Sequence, residues 1–195
     1  TLFRSMLRFV INRKLELPFI YDSAKELNPL VAVEESIEAV IDNEGQVKSN
    51  ASPELAKIRR EINEKKRESD KRFYNYLNQL KKLGYLRDNE EGYYNGRRTL
   101  AVLVEYKAEV HGFVHSKSET GKTIFIEPSA TIAINNEVAE LEIDEQREIN
   151  RILRELCATL KPYAFALKQN FNFLNYCDFL KAKALLASSL KAVLP

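Results

Sequence analysis

The sequence predicts an α+β fold that is mainly α: a helical body, and two long antiparallel helices that carry a small antiparallel β-sheet at their tip. Three observations predict it. Nothing breaks a helix between Ser52-Pro53 and Gly84, which at 1.5 Å per residue makes a rod of about 45 Å. A second helical stripe runs through Ile134, Val138, Leu141, Ile149, Ile152, Leu153, Leu156 and Leu160. Between the two, the apolar period changes from helical to alternating, and Gly112 to Glu127 reads as a β-hairpin that feeds the second helix. A sheet carried on long helices can grip something large; it is a poor place for a deep catalytic pocket.

The elements follow in order. Leu2, Phe3, Met6, Leu7, Val10 and Ile11 recur at helical spacing, so the chain opens with an amphipathic helix. Ser23 with Glu26 resembles a capping box, for a helix that Pro29 keeps short. Leu30, Val33, Ile37, Val40 and Ile41 form another helical stripe. Asn43-Glu44-Gly45 is a turn, with Val47 in a short extended return. Ser52 caps the first long helix and Pro53 takes its first position. Leu55, Ile58 and Ile62 make one end of that helix apolar, and Phe73, Tyr76, Leu77, Leu80 and Leu83 the other. Asn63 to Arg72 between them is nearly all polar, the mark of a helix crossing solvent between two bodies.

Asn95-Gly96 is a hairpin-turn signal between Tyr93-Tyr94 and Arg97-Arg98. Leu100, Val102, Val104 and Tyr106 alternate along one strand. Gly112–Ser116 and Thr123–Glu127 read as two more, joined by the polar loop Lys117–Lys122, so a meander of three or four strands is expected. Pro128 closes the last strand. Pro162 kinks or ends the second long helix, and an aromatic-rich helix through Leu167, Phe171, Leu174, Phe179 and Leu185 follows. The expected divisions are 1–52, 53–83, 84–133, 134–161 and 162–195.

Charge supports pairing the long helices. Lys57 to Arg72 holds eight bases and four acids; Glu137 to Glu155 holds seven acids and three bases. Each exposed pair between such helices is worth only ~0.2–0.5 kcal/mol. A formal net charge of +2 on 195 residues is too small to argue for nucleic acid by itself. No apolar run approaches the ~20 residues of a bilayer span, no signal peptide is visible, and a cytoplasmic protein is expected. Cys157 and Cys177 lie in helical segments and read as reduced, half-buried thiols. The chain starts at Thr1 without a methionine and stops at Pro195 just past a helical pattern, which suggests a piece of a longer protein.

Several motifs invite chemistry. Gly121-Lys122-Thr123 has the end of a phosphate-binding loop, but the required earlier glycine is Ser116 and a strand, not a helix, follows. His111 and His115 lack a third metal ligand at convincing spacing and read as sheet-face histidines. No catalytic triad, metal site or cofactor site is expected. Arg97, Arg98, Lys117 and Lys122 lie in turns or at strand ends, where they could reach a nucleic-acid backbone. Against that, Gly84 to Pro128 holds six bases and seven acids, which implies weak, salt-sensitive binding. Tyr93 and Tyr94 could stack on bases, although tyrosines that only pack on a sheet are commoner.

The run Gly112-Phe-Val-His-Ser, then Thr123-Ile-Phe-Ile-Glu-Pro128, then Asn135-Asn136-Glu137 and Leu141-Glu142, resembles the bacterial MutS paralogue of the second type. Ile41 to Val47, Ala51 to Arg60 and Arg147 to Leu156 carry the same resemblance, which covers nearly the whole chain. It implies the helical core, lever helices (53–83 and 134–161) and β clamp (84–133) of a MutS-like protein. The expected parent is a homodimeric ATPase using ATP and Mg, in many members with a nuclease module; both lie beyond this chain, so the chain itself is expected to catalyse nothing and to hold no cofactor. It also lacks a mismatch-reading aromatic module, so mispair recognition is not expected. The implied function is binding of branched or duplex DNA and restraint of recombination. A clamp on ribosomes, as in factors that split collided ribosomes, is the alternative partner, and a coiled-coil arm binding protein is a third. Pro53 and Pro162 are expected as hinges, with Asn63 to Arg72 as a span that flexes.

Overall fold

The structure is a computed structural model that describes residues 2–192, without the side chains of residues 2, 88, 89 and 90. Residues 1 and 193–195, the outermost parts of the expected divisions 1–52 and 162–195, lie outside the described residues, as does the side chain of Leu2 in the first apolar stripe. The fold is mainly helical with one small antiparallel sheet. The chain clusters into two compact units, one from the residues up to Lys48 together with those from Ile152 onward, the other Ser49–Arg151.

The first unit holds α1 (Leu2–Asn12), α2 (Pro18–Ala24), α3 (Val31–Val40) and, late in the chain, α6 (Ala164–Ser189). Leu7 and Val10 of α1, Ala24 of α2 and Phe173 of α6 are buried together. The buried Asn170 side chain of α6 donates to the Asn28 carbonyl at 2.8 Å. The expected capping box at Ser23 is not one. Pro18 starts α2, and Ser23 sits in its last turn with its hydroxyl donated back to the Phe19 carbonyl at 3.2 Å. Proline at the first position pre-sets the helical φ and outweighs the downstream serine as a start signal. The turn at Asn43–Gly45 closes an Ile41–Val47 bridge, with the Asp42 carboxylate accepting from Glu44 and Gln46 amides. α6 mixes apolar and polar residues around its circumference, with no one-sided apolar stripe, and leaves Phe165, Phe171 and Phe179 exposed. Of the two free thiols, Cys157 is exposed and only Cys177 is half-buried.

The second unit begins with α4 (Pro53–Leu83), capped as its sequence dictates. The Ser52 hydroxyl accepts the Leu55 amide at 3.0 Å, and Gly84 ends the helix at φ 75°, its N–H bonding back to the Leu80 and Lys81 carbonyls. The sheet follows: β1 (Leu86–Tyr94), β2 (Arg97–Leu103), β3 (Gly112–Lys117) and β4 (Thr123–Pro128). Asn95 and Gly96 both take positive φ, 48° and 78°, and make the tight turn between β1 and β2.

The strand order is β1-β2-β4-β3, which corrects the expected meander. β4 is buried along nearly its whole length while β3 stays largely open, so the more apolar strand takes the centre and β3 the edge. β2 also stops early. Val104–Tyr106 turn out of the ladder, and Tyr106 stacks on Tyr85 with ring centroids 4.4 Å apart instead of continuing the alternation. Leu100, Val102, Ile124 and Ile126 of the sheet pack on Phe73, Leu77 and Leu80 of α4.

α5 (Ser129–Leu160) follows β4 directly, five residues ahead of the stripe that announces it. Its first turn hides a polar residue where a stripe would need an apolar one: Thr131 is buried and donates to the Pro128 carbonyl at 3.0 Å. Within the second unit α4 and α5 are antiparallel and bridged along their length. Ser52 donates to Glu148 at 2.7 Å, Arg59 meets Glu145 at 2.7 Å, Lys66 meets Glu142 at 2.7 Å, Lys65 meets Glu137, and Ser69 donates to Asn135 at 2.7 Å. The polar stretch Asn63 to Arg72 is therefore cross-linked to α5 by Lys65, Lys66 and Ser69, a fixed span and not a loose one. Pro162 stands in a short 3-10 turn, Lys161–Tyr163, between α5 and α6.

Candidate nucleic-acid interface

The β3–β4 connection is short and internally bonded. Ser118 donates its amide to the Thr123 carbonyl and accepts the Gly121 amide, both at 2.9 Å, and its hydroxyl accepts the Thr123 amide at 3.1 Å. Gly121 has φ 68°, a conformation only glycine adopts cheaply. The turn holds Lys117 and Lys122 at its two ends, both exposed and neither engaged in an ion pair among the described residues. Gly121-Lys122-Thr123 runs into β4, so no helix N-terminus faces this glycine.

The structure does not bring the four predicted basic residues together. Leu103 of β2 pairs with Thr123, so Lys122 lies at the end of the sheet where β2 stops. Arg97 and Arg98 lie at the other end of β2, about 17–20 Å away by strand rise. Both are engaged within the protein. Arg98 contacts Asp70 at 3.2 Å and Glu91 at 3.0 Å, bonds the Tyr74 hydroxyl, and lies over the Tyr74 and Tyr93 rings.

Arg97 is part of a network around a buried carboxylate. Glu127, 1% exposed on β4, accepts from Arg97 at 3.1 and 3.3 Å, from His115 Nε2 at 2.8 Å and from Asn135 Nδ2 at 2.7 Å. Arg97 also donates to Asn136 at 2.7 Å. Burial pushes the Glu127 carboxyl up, but the hydrogen bonds from Asn135 and His115 and the charge of Arg97 outweigh it and hold the group below the usual carboxylate range. The network joins β2, β3, β4 and α5, and through Asn135 it reaches Ser69 of α4. Sequence reading passed over Glu127. Its signal was a lone acid inside the apolar run Ile124-Phe-Ile-Glu-Pro, since a charge in a buried strand needs partners.

This arrangement changes the charge balance at the outer end of the sheet. Glu91 and Glu127 are neutralised at the inner end by Arg98 and Arg97. Around the outer end stand Lys81, Lys82, Arg87, Lys107, Lys117 and Lys122, against Glu105, Glu109 and Glu119 among the described side chains. Among the described side chains of Gly84 to Pro128 the outer end holds four bases against three acids, and Lys81 and Lys82 at the end of α4 add two more bases to that rim. Arg87 and Lys107 were not among the predicted contacts; Arg87 is exposed and donates to the Thr123 hydroxyl at 3.1 Å. Among the described residues no group of His, Cys, Asp and Glu could hold a metal ion, and no helix is long and apolar enough to cross a membrane.

No family model matches the chain. Curated relatives do. It is 37% identical over 181 residues to a protein of Lactococcus lactis subsp. lactis named Endonuclease MutS2, covering 93% of this chain and 23% of that one. The proteins of the same name from Leuconostoc citreum and Geobacillus sp. are 36% and 35% identical over 89% and 93% of this chain. The chain spans less than a quarter of the length of these relatives. The match runs through both units and includes the sheet with its two bridged helices; the chain is a segment of the MutS2 type and belongs, over that segment, with the MutS-family paralogues.

Proposed function

We propose that this chain is the core, lever and clamp portion of a MutS-family ATPase that binds duplex or branched DNA and regulates recombination. The observation that carries the reading is the basic outer rim of the sheet, with Lys117 and Lys122 unpaired, held on two antiparallel helices cross-linked by ion pairs. Exposed lysines at loop ends suit phosphate contacts, which position a duplex without reading its sequence. ATP and Mg²⁺ would be bound by another part of the parent protein, where nuclease activity and the main dimer contacts would also reside. The helix pair would transmit ATP-driven movement to the sheet as a stiff rod, bending at its ends near Pro53 and Pro162.

The test is fluorescence anisotropy of a labelled four-way DNA junction and a linear duplex titrated with the chain across a salt series. Lys117→Glu/Lys122→Glu should weaken binding and lower the salt slope by about 2, one phosphate contact per lysine. An unchanged slope overturns phosphate contact by these residues. Absent DNA binding at low salt, with co-sedimentation on ribosomes, would transfer the same rim to ribosomal RNA.

A further inference from the structure

The sheet has two faces, and α4 covers one. Leu100, Val102, Ile124, Ile126 and Val114 pack on α4. Residues directly opposite in the ladder share a face and neighbours along a strand alternate, so Thr99, Phe113, Phe125 and Glu127 belong to the other face. That face carries an aromatic surface. The Tyr94 ring stacks on His115 with centroids 4.7 Å apart at 28°, and Phe113 meets His115 edge-on at 4.9 Å. Phe113 is 59% exposed, and Tyr94 is 40% exposed although one ring face is covered. Phe125 lies across β1, so close that a Cβ at Gly92 would stand 2.9 Å from its ring.

Among the described side chains the charges on this face are Arg87 and the Arg97–Glu127 pair. Arg87 is exposed at its outer edge and Arg97, partly exposed, stands at the inner edge. Its one described carboxylate, Glu127, is buried and held by Arg97 and His115. An open aromatic surface beside an exposed guanidinium, Arg87, has the two components of a single-stranded nucleic-acid site: rings for bases and a cation for the backbone.

We propose that the open face of the sheet binds unpaired DNA, with a base on Tyr94 and Phe113 and a flanking phosphate at Arg87. DNA follows from the nucleic-acid reading above, and oligouridine in the experiment below tests RNA in its place. The inference rests on the nucleic-acid reading above and adds to it a second surface, distinct from the lysine rim, and a substrate feature: bases left unpaired at a branch.

The experiment uses the full 195-residue chain, which has no tryptophan, so Phe113→Trp supplies a sole reporter. It is titrated with oligothymidine and oligouridine of about 12 nucleotides, within the usual span of such sites, and with a duplex of equal length. Oligothymidine should quench the tryptophan emission, and oligouridine and duplex should do so far less. Tyr94→Ala should weaken oligothymidine binding about ten- to hundredfold and leave duplex binding unchanged, while Tyr94→Phe keeps both. Circular dichroism of the two Tyr94 variants separates lost stacking from lost folding. Binding of oligothymidine without quenching, or quenching by oligouridine in preference, overturns the proposal. Duplex binding that is sensitive to Lys117→Glu/Lys122→Glu, with no oligothymidine binding, removes the aromatic site and leaves the rim reading standing. Binding of neither removes both.

Discussion

Glu127 is the residue on which the inner end of the sheet depends, because two neighbouring strands and one helix direct donors at its carboxylate. Glu127→Ala would leave Arg97, His115 and Asn135 donating into a space that water reaches poorly. A fully buried pair broken in this way costs ~3–5 kcal/mol. The Arg97 side chain keeps 30% exposure and recovers some hydration, so a loss of about 1–3 kcal/mol is expected. Amide exchange along β3 and β4 measures it, and protection equal to that of the parent chain would refute the role. Gly112 is the companion constraint. A Cβ there would stand 2.2 Å from the Glu127 carbonyl oxygen, so β3 can approach β4 at that point only with glycine. Local rules made Asn95-Gly96, Ser52 and Gly84 legible, since each acts through its own neighbours in sequence. Glu127 was not legible in that way: its partners come from positions 97, 115 and 135, and no local pattern announces a contact made across the fold.

At the scale of elements, two long helices of opposite charge were visible in composition, and the sheet in its alternation. The bridges between the helices are what the structure adds. Ser52 serves twice, capping α4 with its oxygen and donating its hydroxyl proton to Glu148 of α5. Hydrogen bonds from Arg151 and then Ser52 hold the Glu148 carboxyl at about 2. A carboxylate with a depressed folded value contributes stability above its unfolded value, ~4.3, and loses it as pH falls toward the folded one. The chain should therefore lose stability between about pH 5 and pH 2, and Glu148→Gln should flatten that part of the profile. Urea midpoints measured across this window test it; parallel curves for the two proteins would exclude the linkage. The strand order was the element-level feature least open to prediction, because alternation marks a strand and its faces but not its neighbour. Relative burial of β3 and β4 decides which becomes the edge, and that emerges only once α4 covers one side of the sheet.

For the molecule as a whole, the chain's two ends supply one unit and its middle supplies the other, with α5 continuing from the second into the first. The bridges from Ser52–Glu148 to Ser69–Asn135 descend α4 while climbing α5, so every residue removed from one helix misaligns the partners beyond it. Seven residues make nearly two full turns, leaving a rotation error of only ~20°. Excising 57–63 from α4 and the facing 141–147 from α5 together removes Arg59, Glu145 and Glu142 but should preserve the Ser52–Glu148, Lys65–Glu137 and Ser69–Asn135 pairs and shorten the helix pair by about 10 Å. Excising either segment alone should abolish cooperative melting, which thermal circular dichroism would reveal; a stable single-excision protein would mean that the bridges do not set the alignment. The helix pair is in this sense a ruler. Its reach can change by evolution or by design only in matched increments of about two turns, so the length of this span across relatives should vary in steps and not continuously.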